Sequence, residues 1–278
     1  MQLGIRLHDV EAHPLRDRLG IVKEQGFSCA HVALSKVISE FSVENQALTP
    51  GLAMYLKRLF YDMGIDVAVL GCYLNLANPE PKQLKIITEK YIAHLRFAAL
   101  LGSGVVGTET GCPNVEYRYE AACRGEEAYQ TFITNLRPVI AVAEKFGVLF
   151  AIEPVRSHII YDAKRARRLL DEIASPNLQI ILDPVNLLGM DNYEQQTEVL
   201  QEAIELLGEE TAVVHLKDYN IDGDRLISCV AGLGRFEYEP LFRFIKQRKP
   251  YIHCTLEDTK PKNAREARAY IQAIWDRV

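Results

Sequence analysis

The stretch VLFAIEP at residues 148–154 carries the pattern on which the fold turns: an apolar run that ends in a carboxylate, Glu153, and is stopped by Pro154. Alternation along a strand puts Glu153 on the same face as Leu149 and Ala151. Three later runs are built alike. LQIILD (178–183) ends at Asp183, AVVH (212–215) at His215 and YIHCTLE (251–257) at Glu257. The four end residues are 30, 32 and 42 positions apart, room each time for a strand, a helix and their loops. VLFAI and LQIIL are apolar on both faces, as parallel strands covered by helices are.

The same alternation of short apolar runs and amphipathic stretches extends to both ends of the chain. Strands are expected at 2–7, 29–34, 66–72, 104–108, 148–153, 178–183, 211–216 and 251–257. Helices are expected at about 15–25, 50–63, 82–101, 126–146, 163–174, 193–207, 237–248 and 263–276. Pro14, Pro50, Gly64, Gly102, Gly147, Pro176, Gly208 and Pro250 punctuate the joints. Eight strands, each followed by a helix, with no linker or composition break, predict a single (β/α)8 TIM barrel over residues 1–278. The length suits one, since such barrels typically take about 250 residues. A doubly wound open sheet is the competing architecture. It would ordinarily be shorter or carry a phosphate loop, and neither GxGxxG after the first strand nor GxxxxGK[ST] is present. GLGRFEY at 232–238 is a weak signal of that kind.

Composition narrows the function classes. A hydrophobic fraction of 48% and a charged fraction of 25% describe an ordinary globular protein. The net charge of −5 speaks against a nucleic-acid partner, which usually demands a basic stripe. No apolar run approaches the roughly 18 residues of a membrane span. The opening MQLGIRLHDVEAHP lacks an apolar leader core, and a cytoplasmic location is expected. The six cysteines are scattered without a CxxC pair, so reduced thiols are expected.

A parallel barrel brings all its strand ends to one mouth, where such folds place their chemistry. Three carboxylates and an imidazole meeting there would repel one another without a cation between them. Singly, each residue reads as structural: a carboxylate paired to an arginine, a turn cap, a satisfied core histidine. Their joint occurrence at strand ends five to eight predicts one divalent ion held by Glu153, Asp183, His215 and Glu257. Oxygen-rich ligation with one imidazole suits Mn²⁺ first, then Mg²⁺, Co²⁺ or Fe²⁺, with Zn²⁺ a further alternative. Such an ion polarises a substrate carbonyl and stabilises an enediolate as the adjacent C–H loses its proton. Glu153 and Glu257, from strands five and eight, are expected across the mouth from each other as the proton-transferring pair.

AIEP, LDPVN, VVHLKD and TLED, in this order, with GCYLNLANP at 71–79 and GLGRFEY, resemble the xylose-isomerase-like superfamily, also described as AP endonuclease family 2. The resemblance covers nearly the whole chain. It takes in sugar isomerases and epimerases, hydroxypyruvate isomerase, inosose dehydratase and endonuclease IV relatives. It implies a TIM barrel, the same four ligands, and, from ketose 3-epimerase relatives, proton exchange by the two glutamates. Those epimerases carry D-x-x-H on strand six, where this chain has Asp183-Pro-Val-Asn186. An amide hydrogen-bonds a hydroxyl but holds no positive charge.

The expected function is therefore a metal-dependent sugar or polyol isomerase or epimerase of carbohydrate metabolism. A dehydratase or lyase acting on a keto-sugar or keto-inositol is the nearest rival, and an acid or base at Lys217 or His158 would favour it. An endonuclease IV-like repair enzyme would need more strand-end histidines, and a non-catalytic sugar-binding barrel would need no proton transfer. Asn186, Lys217, His8, Tyr73, Asn75, Glu109, Arg156 and His158 are further substrate-binding candidates near the mouth. Tyr117 and Tyr119 are candidates for a lid or an oligomer contact, and a homodimer or homotetramer is a possible assembly. His31, His94, Trp275 and the run Lys164, Arg165, Arg167, Arg168 read as structural or solvated.

Overall fold

The computed structural model describes residues 1–11 and 13–278. Strands β1 (Gln2–Arg6), β2 (Cys29–Val32), β3 (Asp66–Gly71), β4 (Val105–Glu109), β5 (Leu149–Glu153), β6 (Leu178–Leu182) and β7 (Thr211–Leu216) lie in chain order around a closed barrel. A hairpin of β8 (Asp218–Asp222) and β9 (Arg225–Cys229) follows, and β10 (His253–Leu256) closes the barrel between β7 and β1. Every barrel pairing is parallel. Around it stand α1 (Leu15–Glu24), the single turn α2 (Leu34–Val37), α3 (Pro50–Met63), α4 (Pro81–Leu101), α5 (Glu126–Phe146), α6 (Ala163–Ile173), α7 (Gln196–Leu207), α8 (Glu239–Arg248) and α9 (Ala264–Arg277). The expected barrel is the observed fold.

Local chemistry fixes the joints. Thr49 caps α3 by accepting from Leu52 N at 3.3 Å, with Pro50 at its first position, and Asp162 caps α6 by accepting from Arg165 N at 2.8 Å. The strands bury both faces, the outer against the helices and the inner in a small cluster of Val69, Val105, Ala151, Ile181 and Val213. Among the described residues, no helix is long and apolar enough to cross a membrane. All six cysteines are free thiols.

The hairpin β8–β9 is absent from the sequence expectation. It accounts for the long interval between His215 and Glu257. Its signal is Asp222-Gly223 between the two short runs, with Gly223 at φ 61°. The arginines of helix α6 are not merely a solvated face. Arg165 donates to the carbonyls of Arg124 and Gly125 at 3.1 and 2.6 Å, Arg168 pairs with Glu126 at 2.6 Å, and Arg167 with Glu210 at 2.8 Å. They tie α6 to the elements on either side. Trp275 packs against the main core and lies edge-on to Phe242 of α8, with ring centres 5.9 Å apart.

GLGRFEY also finds its place here. The Asp218 carboxylate is fully buried and accepts from the backbone N–H of Tyr219 (2.9 Å), Gly232 (3.1 Å) and Phe236 (2.7 Å), which pins this loop beside β7. Gly234 passes so close that a Cβ there would run into the Asp218 carboxylate and the Tyr219 carbonyl. The segment is a structural clamp rather than a phosphate loop. Gly234→Ala is expected to lower stability by about 1–3 kcal/mol, the usual cost of overpacking, measured as a shift of the urea midpoint at constant slope.

Candidate metal centre

The strands β5, β6, β7 and β10 are consecutive around the barrel, so their C-terminal ends deliver Glu153, Asp183, His215 and Glu257 to one place. All four are buried. One donor atom from each lies within 4.8 Å of all the others. Glu153 and Glu257 come from strands three places apart in the eight-strand ring. Both reach the same imidazole nitrogen, His215 Nδ1, with Oε2 of Glu153 at 3.3 Å and Oε1 of Glu257 at 3.2 Å.

Cations border the carboxylates. Lys217, two residues beyond His215 on the same face, puts Nζ 2.9 Å from Asp183 Oδ2 and 3.5 Å from Glu257 Oε2. Arg6, at the end of β1, reaches Glu257 Oε2 at 3.4 Å. Asn186 donates from Nδ2 to Glu153 Oε1 at 2.6 Å and accepts from Lys217 at 2.7 Å. An amide oriented by a carboxylate on one side and an ammonium on the other has one consistent assignment of its two ends. Tyr73 donates to Glu153 Oε2 at 3.2 Å. Asp183 Oδ1 accepts from the backbone N–H of Val185 and Asn186, which fixes the turn leaving β6.

Burial and these neighbours shift the titrations in opposite directions. Burial, reinforced by Glu153 and Glu257 and opposed by Lys217, raises Asp183 to about 6. Burial also raises Glu257, but His215, Lys217 and Arg6 outweigh it and hold the carboxyl below its ordinary value. His215 is raised to about 9, because Glu257 and Glu153 overcome the lowering by burial. Burial, with Glu153 close by, raises Glu109 at the end of β4 to about 7.

The four side chains fit a divalent ion. Donors about 2.1 Å from an ion lie at most about 4.2 Å apart, so the observed cluster needs only a slight contraction. The set offers three oxygens and one nitrogen.

The cleft above the cluster has a volume of about 350 Å³, within the roughly 300–1,000 Å³ of small-molecule sites. His8, Tyr73, Glu109, Asn186 and Lys217 line it with Glu153 and Glu257. Three of the other candidates are engaged elsewhere. Asn75 spends its amide on the carbonyls of Cys112 (2.8 Å) and Asn114 (2.9 Å) and the N–H of Ala77 (3.0 Å), holding its own loop. Arg156 pairs with Asp191 in a neighbouring groove. His158 is buried against the edge of Tyr117, 3.9 Å from Glu109 and off the cleft lining. Tyr117 donates to Glu109 at 3.0 Å, so its loop touches the site, whereas Tyr119 is exposed.

Sequence reasoning did not single out Arg6, Lys36, Glu44 or Lys90, and it read His31 and His94 as structural; all six line the cleft. Arg6 carried no signal beyond its position at a strand end. His31 lies on β2 and is stacked between Tyr73 (5.4 Å) and His215 (5.2 Å).

A family model described as xylose isomerase-like TIM barrel matches residues 20–274. No curated protein matches the chain by sequence. Among solved structures, IolI protein with a bound zinc atom aligns with a TM-score of 0.74 at 18% identity, over 100% of this chain and 99% of that one. The 3-keto-D-glucoside 4-epimerase YcjR from E. coli gives 0.74 at 16% identity, over 98% and 99%. The probable 3-DHS dehydratase AsbF from Bacillus anthracis gives 0.74 at 14% identity, over 100% of both. At these identities the likeness is one of fold.

The geometry predicts about one divalent ion per chain in protein purified without chelators. Asp183→Ala and His215→Ala should each weaken Mn²⁺ binding by more than the roughly 10–100-fold that losing a supporting contact costs. Asn186→Ala should fall within that range. Elemental analysis and calorimetric titration of stripped protein measure all three.

Proposed function

The chain belongs to the xylose isomerase-like TIM barrel family, and on that premise we propose that it is a divalent-metal-dependent isomerase or epimerase of a small sugar or polyol derivative. The reaction is proton abstraction next to a carbonyl. The observation that carries this reading is the meeting of an aspartate and a histidine with two glutamates that themselves line a small-molecule cleft.

Glu153, Asp183, His215 and Glu257 hold the ion, with Mn²⁺ the first expectation. When bound, a divalent ion supplies Lewis-acid polarisation of the carbonyl. Glu153 and Glu257 move the proton. Glu257 keeps its charge among Arg6, Lys217 and His215. Glu153 shares His215 with Glu257 and is otherwise contacted by the neutral donors Tyr73 and Asn186, which aim its two oxygens. Proton removal and return fall to this pair: the glutamate that takes the substrate proton ends protonated, and the other delivers a proton that it has first taken up from solvent. Lys217 and Asn186 orient substrate hydroxyls, and His8 and Tyr73 complete the walls around them.

One observation favours dehydration as a second reading. Glu109 lines the cleft and, raised to about 7, carries its proton in about half of the molecules at neutral pH. A carboxylic acid in that state can protonate a leaving hydroxyl. AsbF is a dehydratase by name on the same fold.

Protein loaded with Mn²⁺ or Co²⁺ and incubated in D₂O with a panel of ketoses and keto-inositols should introduce deuterium next to the carbonyl, read by NMR. Glu153→Gln and Glu257→Gln, with metal still bound, should each slow exchange by about 10²–10⁴-fold, the usual weight of general acid–base catalysis. Exchange that is absent throughout the panel, or untouched by both substitutions, would sink the proposal. Loss of water from a panel member, diminished in Glu109→Gln, would select the dehydratase.

A further inference from the structure

We propose that His31 is a fifth protein donor of the ion centre, which then draws on two imidazoles and three carboxylates. The inference rests on the ion reading above and concerns a residue that the resemblance leaves outside the ligand set.

His31 sits on β2, where all four residues are buried, and only 2% of its surface is exposed. Neither ring nitrogen has a hydrogen-bond partner. Buried polar groups in folded proteins are almost always satisfied, and the exceptions mark sites of ligands, ions or water. Packing alone does not call for an imidazole here. A phenyl ring would stack between Tyr73 and His215 equally well and leave nothing unsatisfied.

The free nitrogens have a destination. One lies within 4.8 Å of both a ring nitrogen of His215 and a carboxylate oxygen of Glu257. These two residues also belong to the four-residue cluster, so the two donor sets overlap; His31 lies beyond 4.8 Å of at least one of the Glu153 and Asp183 donors, and the five converge when its ring moves inwards. The neighbouring strand makes room for the ring. A Cβ on Gly71 of β3 would collide with His31 Nε2. His8, whose ring centre is 6.2 Å away, also has an unpartnered Nδ1 but is not one of the converging donors.

Shared donors favour one ion over two: His215 and Glu257 belong to both sets, and two ions would have to divide them. A second imidazole also shifts selectivity away from Mg²⁺ and towards Co²⁺ and Zn²⁺, which accept nitrogen donors more readily.

The test uses the stripped full-length chain and Co²⁺ or Mn²⁺ alone, with no substrate. Wild type is compared with His31→Phe, which keeps the aromatic stack, and with His31→Gln, which keeps polarity and guards against misfolding of the first variant. Both should fold, bind one ion, lose roughly tenfold or more in Co²⁺ affinity, and change the visible Co²⁺ spectrum, with a smaller loss for Mn²⁺. Pulsed EPR of Cu²⁺-loaded protein should count two coupled imidazoles in wild type and one in His31→Phe. Folded variants that bind Co²⁺ within twofold of wild type, with the same spectrum, would reduce His31 to a packing residue. Two Co²⁺ per wild-type chain would overturn the single five-donor centre. Wild type that binds no Co²⁺ would remove the ion reading itself, an outcome distinct from failure at His31 alone.

Discussion

Three buried carboxylates brought within 4.8 Å of one another are the constraint around which the barrel mouth is arranged. Two like charges at that separation repel by about 3–4 kcal/mol at the effective dielectric that suits protein sites. Three such pairs approach the whole stability of an ordinary domain, about 5–15 kcal/mol. The fold must therefore supply positive charge. It does so with Lys217 from β7, Arg6 from β1 and the imidazole of His215. Burial of these cations is weak evidence of stabilisation, since desolvation offsets much of the attraction. Their retention in the centre fits a site kept for chemistry rather than for the stability of the barrel.

The supporting contacts form one connected network. Arg6 and Lys217 hold Glu257, Lys217 continues to Asp183 and Asn186, and Asn186 with Tyr73 orients Glu153. Each member is locked by a neighbour, which preorganises the donors before any ligand arrives. The network comes from strands far apart in sequence. Its precision depends on closure of the barrel by β10 between β7 and β1. Asp218 serves that precision from behind, pinning the loop that follows the hairpin directly after His215 and Lys217.

Asn186 is the position where this chain departs from the ketose 3-epimerase pattern. In place of a ring that can carry charge, the amide donates to Glu153 and accepts from Lys217 at once. An imidazolium could not accept from Lys217 at all. Asn186 and Lys217 therefore act as a pair, and the departure at one position is matched by the charge at the other. Glu109, pushed up to about 7, lies on the β4 side of the same cleft.

Strand and helix order, the closed barrel and the four strand-end residues were legible in the sequence, because apolar periodicity and strand termini are local properties of the chain. VLFAIE and LQIILD announce buried parallel strands, and Glu153 and Asp183 stand where those strands stop. The hairpin after β7 was less legible, since β9 is mostly exposed and its only strong mark is Asp222-Gly223. What the tertiary structure alone decided is which atoms meet. His31 read as a mid-strand core residue until closure of the barrel stacked it on His215 with both nitrogens free. Asn75 and Arg156 read as cleft residues until loop paths gave them partners elsewhere. Periodicity fixes the face on which a side chain emerges, but the distance between two side chains depends on strand register, barrel closure and the course of the loops, none of which any short stretch of sequence contains.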